Sequence, residues 1–220
     1  MGRNFRRPRD EEELQEREAS GLWQAQALAK DIGESSEKIT IETILHIHKV
    51  FLQHTNPDIA GRFRRSGEDI KKLKCITPPP GTAVQMKMHE FWRELDTRLA
   101  QIPPLPKGSG KKTLKKAFEK RNEIIVDLAT WTQYKMASIH PFCEGNGRMA
   151  RLMTNLILYR HNLQPTDIRY EGENKAVYLN ALCEIDRRDD FRPLRQLIVK
   201  GMIASYKKLI EAQRKAVNKQ

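Results

Sequence analysis

The stretch HPFCEGNGRMAR, residues 140–151, constrains the fold more than any other part of this 220-residue chain. It separates two helical patterns. Upstream, from about Leu114 to His140, the apolar residues Ile124, Ile125, Leu128, Trp131 and Tyr134 recur at helical spacing. Downstream, from Asn146 to about Tyr159, Leu152, Leu156 and Ile157 supply the apolar positions. Pro141 restricts the backbone where the first helix ends, and Gly145 and Gly147 permit tight angles where the second begins. The chain is therefore organised around a helix–loop–helix whose loop is crowded with polar and charged groups.

The flanking sequence extends the helical reading. Residues 1–10 read as a disordered arm, and EEELQEREASGLWQAQALAK as a helix over 11–30 with Leu14, Leu22, Trp23, Ala27 and Leu28 as its apolar positions. Gly21 weakens that helix. A second helix starts after Thr40 as N-cap, with Thr43 in its first turn and Ile44, Leu45, Ile47, Val50, Phe51 and Leu52 on a broad apolar face, and it stops at the NPD of residues 56–58. Between residues 62 and 77, Phe63, Ile70, Leu73 and Ile76 suit short strands, which predicts one small β-hairpin. Pro78, Pro79 and Pro80 block helix and favour extended chain. Helices are predicted over Val84–Leu99, Lys175–Arg187 and Phe191–Lys208, with IPPLPKGSG a linker and NLQPTDIRYEG a break. The fold class that follows is mostly α, a helical bundle with a small β-hairpin.

Composition narrows the functional classes. No run of eighteen apolar residues occurs, so no membrane span is expected. The N-terminal MGRNFRRPRD lacks an apolar region behind it and does not read as a secretory signal. Cys75, Cys143 and Cys183 are odd in number and widely spaced, which argues against a disulfide scaffold or zinc site and for reduced thiols in a cytoplasmic protein. The formal charge of +12 invites a nucleic-acid or phosphate reading, but it is patchy. Solvated basic faces explain KGSGKKTLKKAFEKR and the C-terminal YKKLIEAQRKAVNKQ best, with attraction to an acidic or nucleic-acid partner next.

Two motifs look sharper than they are. GSGKKT at 108–113 lacks the earlier glycine and the preceding strand of a phosphate loop. His46 and His48, two apart on a helix, do not share a face and so do not make a metal pair; one of them suits a packed or capping role.

Residues 140–151 assemble a different chemistry. A helix beginning near Asn146 presents free N–H groups and a positive dipole end, an anion site. Arg148 and Arg151, three apart, lie on one side of its first turns, where the dipole disfavours cations unless a strong anion answers them. Polyphosphate is such an anion, because guanidinium groups bind it through paired hydrogen bonds. Glu144 beside phosphates makes sense as a ligand of a divalent cation such as magnesium. The unperturbed pKa of histidine lies near neutrality, so His140 can take a proton from an attacking hydroxyl. Phe142 reads as an inward anchor for the loop. Cys143 could be activated at a helix start, or could simply point away from the ligand. Together these residues describe phosphoryl or nucleotidyl transfer by positioning and charge stabilisation.

HPFCEGNGRMAR resembles the signature of the Fic family: histidine, any residue, phenylalanine, any residue, acid, GNGR, two residues, arginine. HIHKVFLQHTNPDIAGRFR and TPPPGTAVQMKMHEFWRELD resemble the segments on either side of that family's flap, and the likeness spans about residues 40–200. It implies a protein adenylyltransferase that moves AMP from ATP with Mg2+ to a serine, threonine or tyrosine hydroxyl of a protein and releases pyrophosphate. In that scheme His140 is the base and Glu144 holds magnesium. Gly145, Asn146 and Gly147 cradle the anion, with Asn146 also steadying the α-phosphate. Arg148 and Arg151 grip the outer phosphates, Phe142 is structural, and the flap docks the target through Lys74, Cys75, Ile76 and Thr77 as an added strand.

The retained Gly147 favours AMP transfer over the phosphorylation carried out by death-on-curing toxins, which usually replace that glycine. Donors such as UTP or CDP-choline, and a non-catalytic basic nucleotide- or nucleic-acid-binding regulator, are the alternatives. The family's inhibitory helix carries serine or threonine, three residues, glutamate, then glycine or asparagine, and its glutamate pairs with the second arginine, here Arg151. No stretch of this chain matches; the nearest is Glu18, with Leu14 in place of the serine and Ala19 following. A glutamate supplied in trans by a small antitoxin, or no such brake, are the other accounts. The expected division is a basic arm and helix at 1–38 with a regulatory or packing role, a catalytic domain at 39–200 and a basic helical tail at 201–220. Expected partners are a hydroxyl-bearing protein substrate, an antitoxin or other inhibitory partner and a second copy in a homodimer, with direct nucleic-acid binding the weakest candidate.

Overall fold

The computed structural model describes residues 5–71, 73–105, 107, 110–168 and 172–217. Parts of the expected arm (1–4), of the hairpin (72), of the basic linker (106, 108 and 109), of the break (169–171) and of the tail (218–220) lie outside the described residues. The helix pair on either side of the polar loop forms the spine: α4 (Lys111–Ile139) and α5 (Asn146–Arg160) make the most extensive contact in the molecule. Their buried faces carry Ile125, Leu128, Ala129 and Met136 on α4 and Met149, Leu152, Met153, Leu156 and Ile157 on α5. Near their middles Thr154 donates to Gln133, whose amide donates in turn to the Tyr178 hydroxyl at 2.8 Å, so a polar chain in the core is satisfied.

Helix α1 (Glu11–Glu34) lies across α5 and against α2 (Ile41–Leu52). Asp10 caps it by accepting from the Glu13 N–H at 2.8 Å, and Glu11, Glu12 and Glu13 complement the positive end of its dipole. Its buried positions are the small residues Gly21, Ala25, Ala29 and Gly33, one every four residues. The apolar side chains named from the sequence flank this stripe rather than form it: Leu22 and Leu28 are half-buried and Trp23 is 70% exposed. Gly21 marks the closest approach of two helices, because a Cβ there would overlap the main-chain oxygen of Phe51. Helix α2 starts at the expected cap, with the Thr43 N–H donating to Thr40 Oγ1 at 3.3 Å and the Thr40 N–H to Thr43 Oγ1 at 3.1 Å.

Helix α3 (Gly81–Ala100) begins directly after the prolines, where the Gly81 N–H donates to Asp69 Oδ1 at 2.6 Å. Helices α6 (Glu173–Arg188) and α7 (Arg192–Val217) pack on one another, and α7 also meets α4. No helix among the described residues is long and apolar enough to cross a membrane.

Two expectations are corrected. There is no β-hairpin: the described residues contain no strand, and the segment expected to form the flap holds one isolated bridge between Leu73 and Ile76. Pro78, Pro79 and Pro80 follow at once and have no N–H to carry a ladder further. On the other side, residues 62–68 are held by side chains, with Arg62 paired to Glu68 at 2.7 Å and the Arg65 N–H donating to Glu68 at 2.7 Å. The cysteines are also not all reduced: Cys75 and Cys183 form a disulfide with their Cα atoms 5.6 Å apart, and Cys143 is the free thiol. A separation of 108 residues hid this pair, because α6 returns beside the 73–76 turn only in three dimensions.

Candidate active site

The loop joining α4 to α5 is fixed from behind by a buried arginine. Arg64 is 1% exposed; its Nε donates to the His140 carbonyl at 2.7 Å, its Nη2 to the Pro79 carbonyl at 2.6 Å and its main-chain N–H to the Pro141 carbonyl at 2.9 Å. Carbonyl dipoles, with Asp69 at 3.8 Å, stand in for the water this charge has lost. The grip explains a strained residue. His140 closes α4 with φ of 49°, a left-handed conformation that side chains with a Cβ rarely adopt. Asn146 fastens the other end of the loop: its Oδ1 accepts from the Phe142 N–H at 2.9 Å and its Nδ2 donates to the Phe142 carbonyl at 2.7 Å. Phe142 itself is fully buried, stacked on His48 with ring centroids 3.7 Å apart.

The two histidines have opposite assignments. His48 Nδ1 accepts from the Gly61 N–H at 3.0 Å, so its Nε2 carries the proton and donates to the Glu144 carbonyl at 3.2 Å. Burial holds its pKa down to about 4, with the Arg148 charge pushing the same way. His140 Nδ1 lies 3.2 Å from the Ala137 carbonyl, which can only accept, so Nδ1 carries the proton and Nε2 keeps its lone pair. Burial, and then Arg64, lowers the His140 pKa below the ordinary histidine range, so the ring is neutral and able to accept a proton at neutral pH.

His140 opens on a cavity of about 460 Å3 that Glu144, Gly145, Asn146, Gly147, Arg148 and Arg151 also line. The first main-chain bond inside α5 runs from Met149 to Gly145, and no side chain caps this end, so the N–H groups of Asn146, Gly147 and Arg148 are open to an anion. Gly145 has φ of 78°, and a Cβ on it would come within 2.6 Å of the Phe51 ring. Arg148 lies over that same ring, 4.5 Å from its centroid, and reaches Glu144 at 3.6 Å. The chemistry of this donor set fits magnesium with polyphosphate: one partly exposed carboxylate, Glu144, stands beside a cradle of N–H groups and two arginines. Cys143 also faces the cavity, but burial first and the neighbouring Glu68 second push its thiol pKa up, which disfavours a thiolate nucleophile.

His140, Cys143, Glu144, Gly145, Asn146, Gly147, Arg148 and Arg151 therefore line one cavity, while Phe142 is buried behind the loop. The turn expected to dock a target contributes differently. Leu73 and Ile76 line the cavity, Lys74 and Thr77 are exposed, and Cys75 is tied to Cys183. From α1, Glu18 reaches Arg148 at 2.9 Å, whereas the family pattern named Arg151 as the partner of such a glutamate.

Sequence reasoning gave no role to Arg64, to the ring of Phe51 or to the α6 wall of Tyr178, Leu179 and Leu182. Arg64 stands in the basic run GRFRR with nothing local to mark it as the buried charge, and its carbonyl partners are 15 and 76 residues away.

Comparison with known proteins agrees with this geometry. The Fic/DOC family model matches residues 38–158. The protein adenylyltransferase Fic of Nematostella vectensis is 31% identical over 183 residues, 81% of this chain and 37% of the relative. Among solved structures, Fic-1 from C. elegans aligns with a TM-score of 0.66 at 24% identity, over 98% of this chain and 56% of that one. BepC from Bartonella tribocorum, solved with bound AMPPNP, aligns with a TM-score of 0.57 at 16% identity over 87% of each chain. These two structural likenesses show the fold. The chain spans about a third of the length of the curated relatives it matches.

Proposed function

This chain belongs to the Fic/DOC family, and from that premise we propose that it is a protein adenylyltransferase, moving AMP from ATP to a hydroxyl side chain of a target protein. The observation that carries the reading is the tautomer of His140. Its Nδ1 is committed to Ala137, and its Nε2 lone pair sits at the same cavity as the open N–H groups of α5 and the two arginines. His140 takes the proton of the target hydroxyl, the freed oxygen bonds to the α-phosphorus, and the bond from that phosphorus to the bridging oxygen breaks to release pyrophosphate. The N–H groups of Asn146, Gly147 and Arg148 receive the phosphate charge, while Arg148 and Arg151 hold the outer phosphates. Glu144 would hold magnesium, which neutralises phosphate charge when bound. The Asn146 side chain acts by shaping the loop through Phe142, so steadying of the α-phosphate falls to its main-chain N–H.

In this reading residues 39–200 form the catalytic unit, Lys74 to Thr77 meet the target, and the 1–38 segment regulates. Glu18 occupies one of the two phosphate-gripping arginines, and a polyphosphate must displace it, which makes it a brake within the chain. An inhibitory partner then has a ready point of action at Arg148. A cytoplasmic location suits the supply of ATP.

The test is label transfer from α-labelled ATP with magnesium, in cell lysate, beside His140→Ala. Label on a protein band that is lost in the variant supports nucleotidyl transfer. Label from γ-labelled ATP instead would establish phosphorylation, and transfer only from UTP or CDP-choline would change the donor.

A further inference from the structure

The Cys75–Cys183 disulfide ties the 73–76 turn to α6, and both line the cavity: Leu73 and Ile76 from the turn, Tyr178, Leu179 and Leu182 from α6. Lys74, at φ of 55°, adds a second tie by donating to the Asn180 side chain on α6. Within the turn, the Leu73 N–H donates to the Ile76 carbonyl at 2.8 Å and the Ile76 N–H returns a bond to Leu73 at 2.9 Å. In this state neither residue can offer those groups to an incoming extended chain. Besides these ties the turn is anchored by Ile76, 4% exposed in the core, while Lys74 and Thr77 are exposed and the bridge is isolated from any sheet. Cys75 is half-buried while Cys183 is 2% exposed, so a reductant reaches the bridge at Cys75.

We propose that Cys75 and Cys183 form a redox clasp that holds the target-facing turn closed on α6, and that reduction by a dithiol releases the turn to accept a target backbone. The thiolate of the dithiol attacks Cys75 Sγ, the S–S bond breaks and Cys183 leaves as thiolate. The second thiol of the reagent then displaces Cys75. The reagent departs as a cyclic disulfide, and the protein gains two electrons and two protons as two thiols. In a reducing compartment the clasp is open, and oxidation closes it. The role given to the turn rests on the adenylyltransferase reading; the clasp itself does not.

The full chain, purified without reductant, should give a linked Cys75–Cys183 peptide by mass spectrometry, with Cys143 alone alkylated. Hydrogen exchange is then followed with and without dithiothreitol. The Leu73 and Ile76 amides should exchange at least tenfold faster after reduction, while α4 and α5 are unchanged. Cys75→Ser should behave as the reduced protein does in both conditions; the wild-type comparison stands by itself if that variant folds poorly. Absence of the linked peptide, or equal exchange in both states, would overturn the proposal. Label transfer from α-labelled ATP to a lysate target should rise several-fold on reduction, and an unchanged nonzero rate would count against the clasp as a control of docking. Responsive exchange with no transfer in either state would leave the clasp standing and defeat the transferase reading.

Discussion

His48 on α2 packs against the loop that His140 opens, and the two differ in what their ring nitrogens face. His48 is buried between two main-chain partners and held near a pKa of about 4, against 6.5 for the free group. As pH falls from 6.5 to 4 the unfolded chain binds a proton that the folded chain refuses. Stability therefore drops through that window, by up to about 3 kcal/mol for such a group. His161, also held down to about 4 by burial and by Arg121 and Arg160, adds to the same slope. Urea unfolding of His48→Gln across pH 4–6.5 should show a flatter pH dependence than wild type, and an unchanged slope would contradict the assignment. Gly145→Ala places a Cβ in a left-handed residue against the Phe51 ring, and a loss of about 1–3 kcal/mol in the same assay is expected. The site was legible at this scale because its residues are contiguous: the chemistry of histidine, carboxylate, arginines and glycines is written within twelve positions. Arg64 and the Phe51 ring were not legible, because their work depends on groups the chain brings back from far away.

Between elements, the stripe of Gly21, Ala25, Ala29 and Gly33 sets how closely α1 can approach α2 and α5, and that approach brings Glu18 to Arg148. Two substitutions separate packing from regulation. Glu18→Gly removes the carboxylate and frees Arg148 for phosphate, so transfer should rise several-fold, while loss of this partly exposed pair should cost only about 1 kcal/mol of stability. Gly21→Ala forces α1 off Phe51, so thermal stability should fall by about 1–3 kcal/mol while transfer rises. Equal or lower rates in both variants would remove the inhibitory role of α1. Helix existence was legible from apolar periodicity, and the start of α2 from Thr40. The buried face of α1 was not, because small residues make it and its tryptophan faces outward. The hairpin reading failed for the opposite reason: Phe63, Ile70, Leu73 and Ile76 suited short strands, yet the turn has a proline run after it and side-chain ties before it.

Across the whole molecule, α4 and α5 form the spine, the polar loop sits at one end of it, and α1 and α6 approach that loop. One wall of the cavity therefore comes from helices adjacent in sequence and the other from α6 and the 73–76 turn, joined by a disulfide that no local pattern reveals. Among the described residues that line the cavity, Arg148 and Arg151 are its two arginines, and no lysine is among them. In the proposed transfer His140 is a base and not a binding group. The measurement that tests it most directly is ATP binding and AMP transfer side by side in wild type and His140→Ala, by calorimetry and by intact-protein mass of a labelled target. Comparable ATP affinity and a loss of transfer of about 100-fold or more are expected in the variant. Transfer that survives in His140→Ala with binding intact would contradict it.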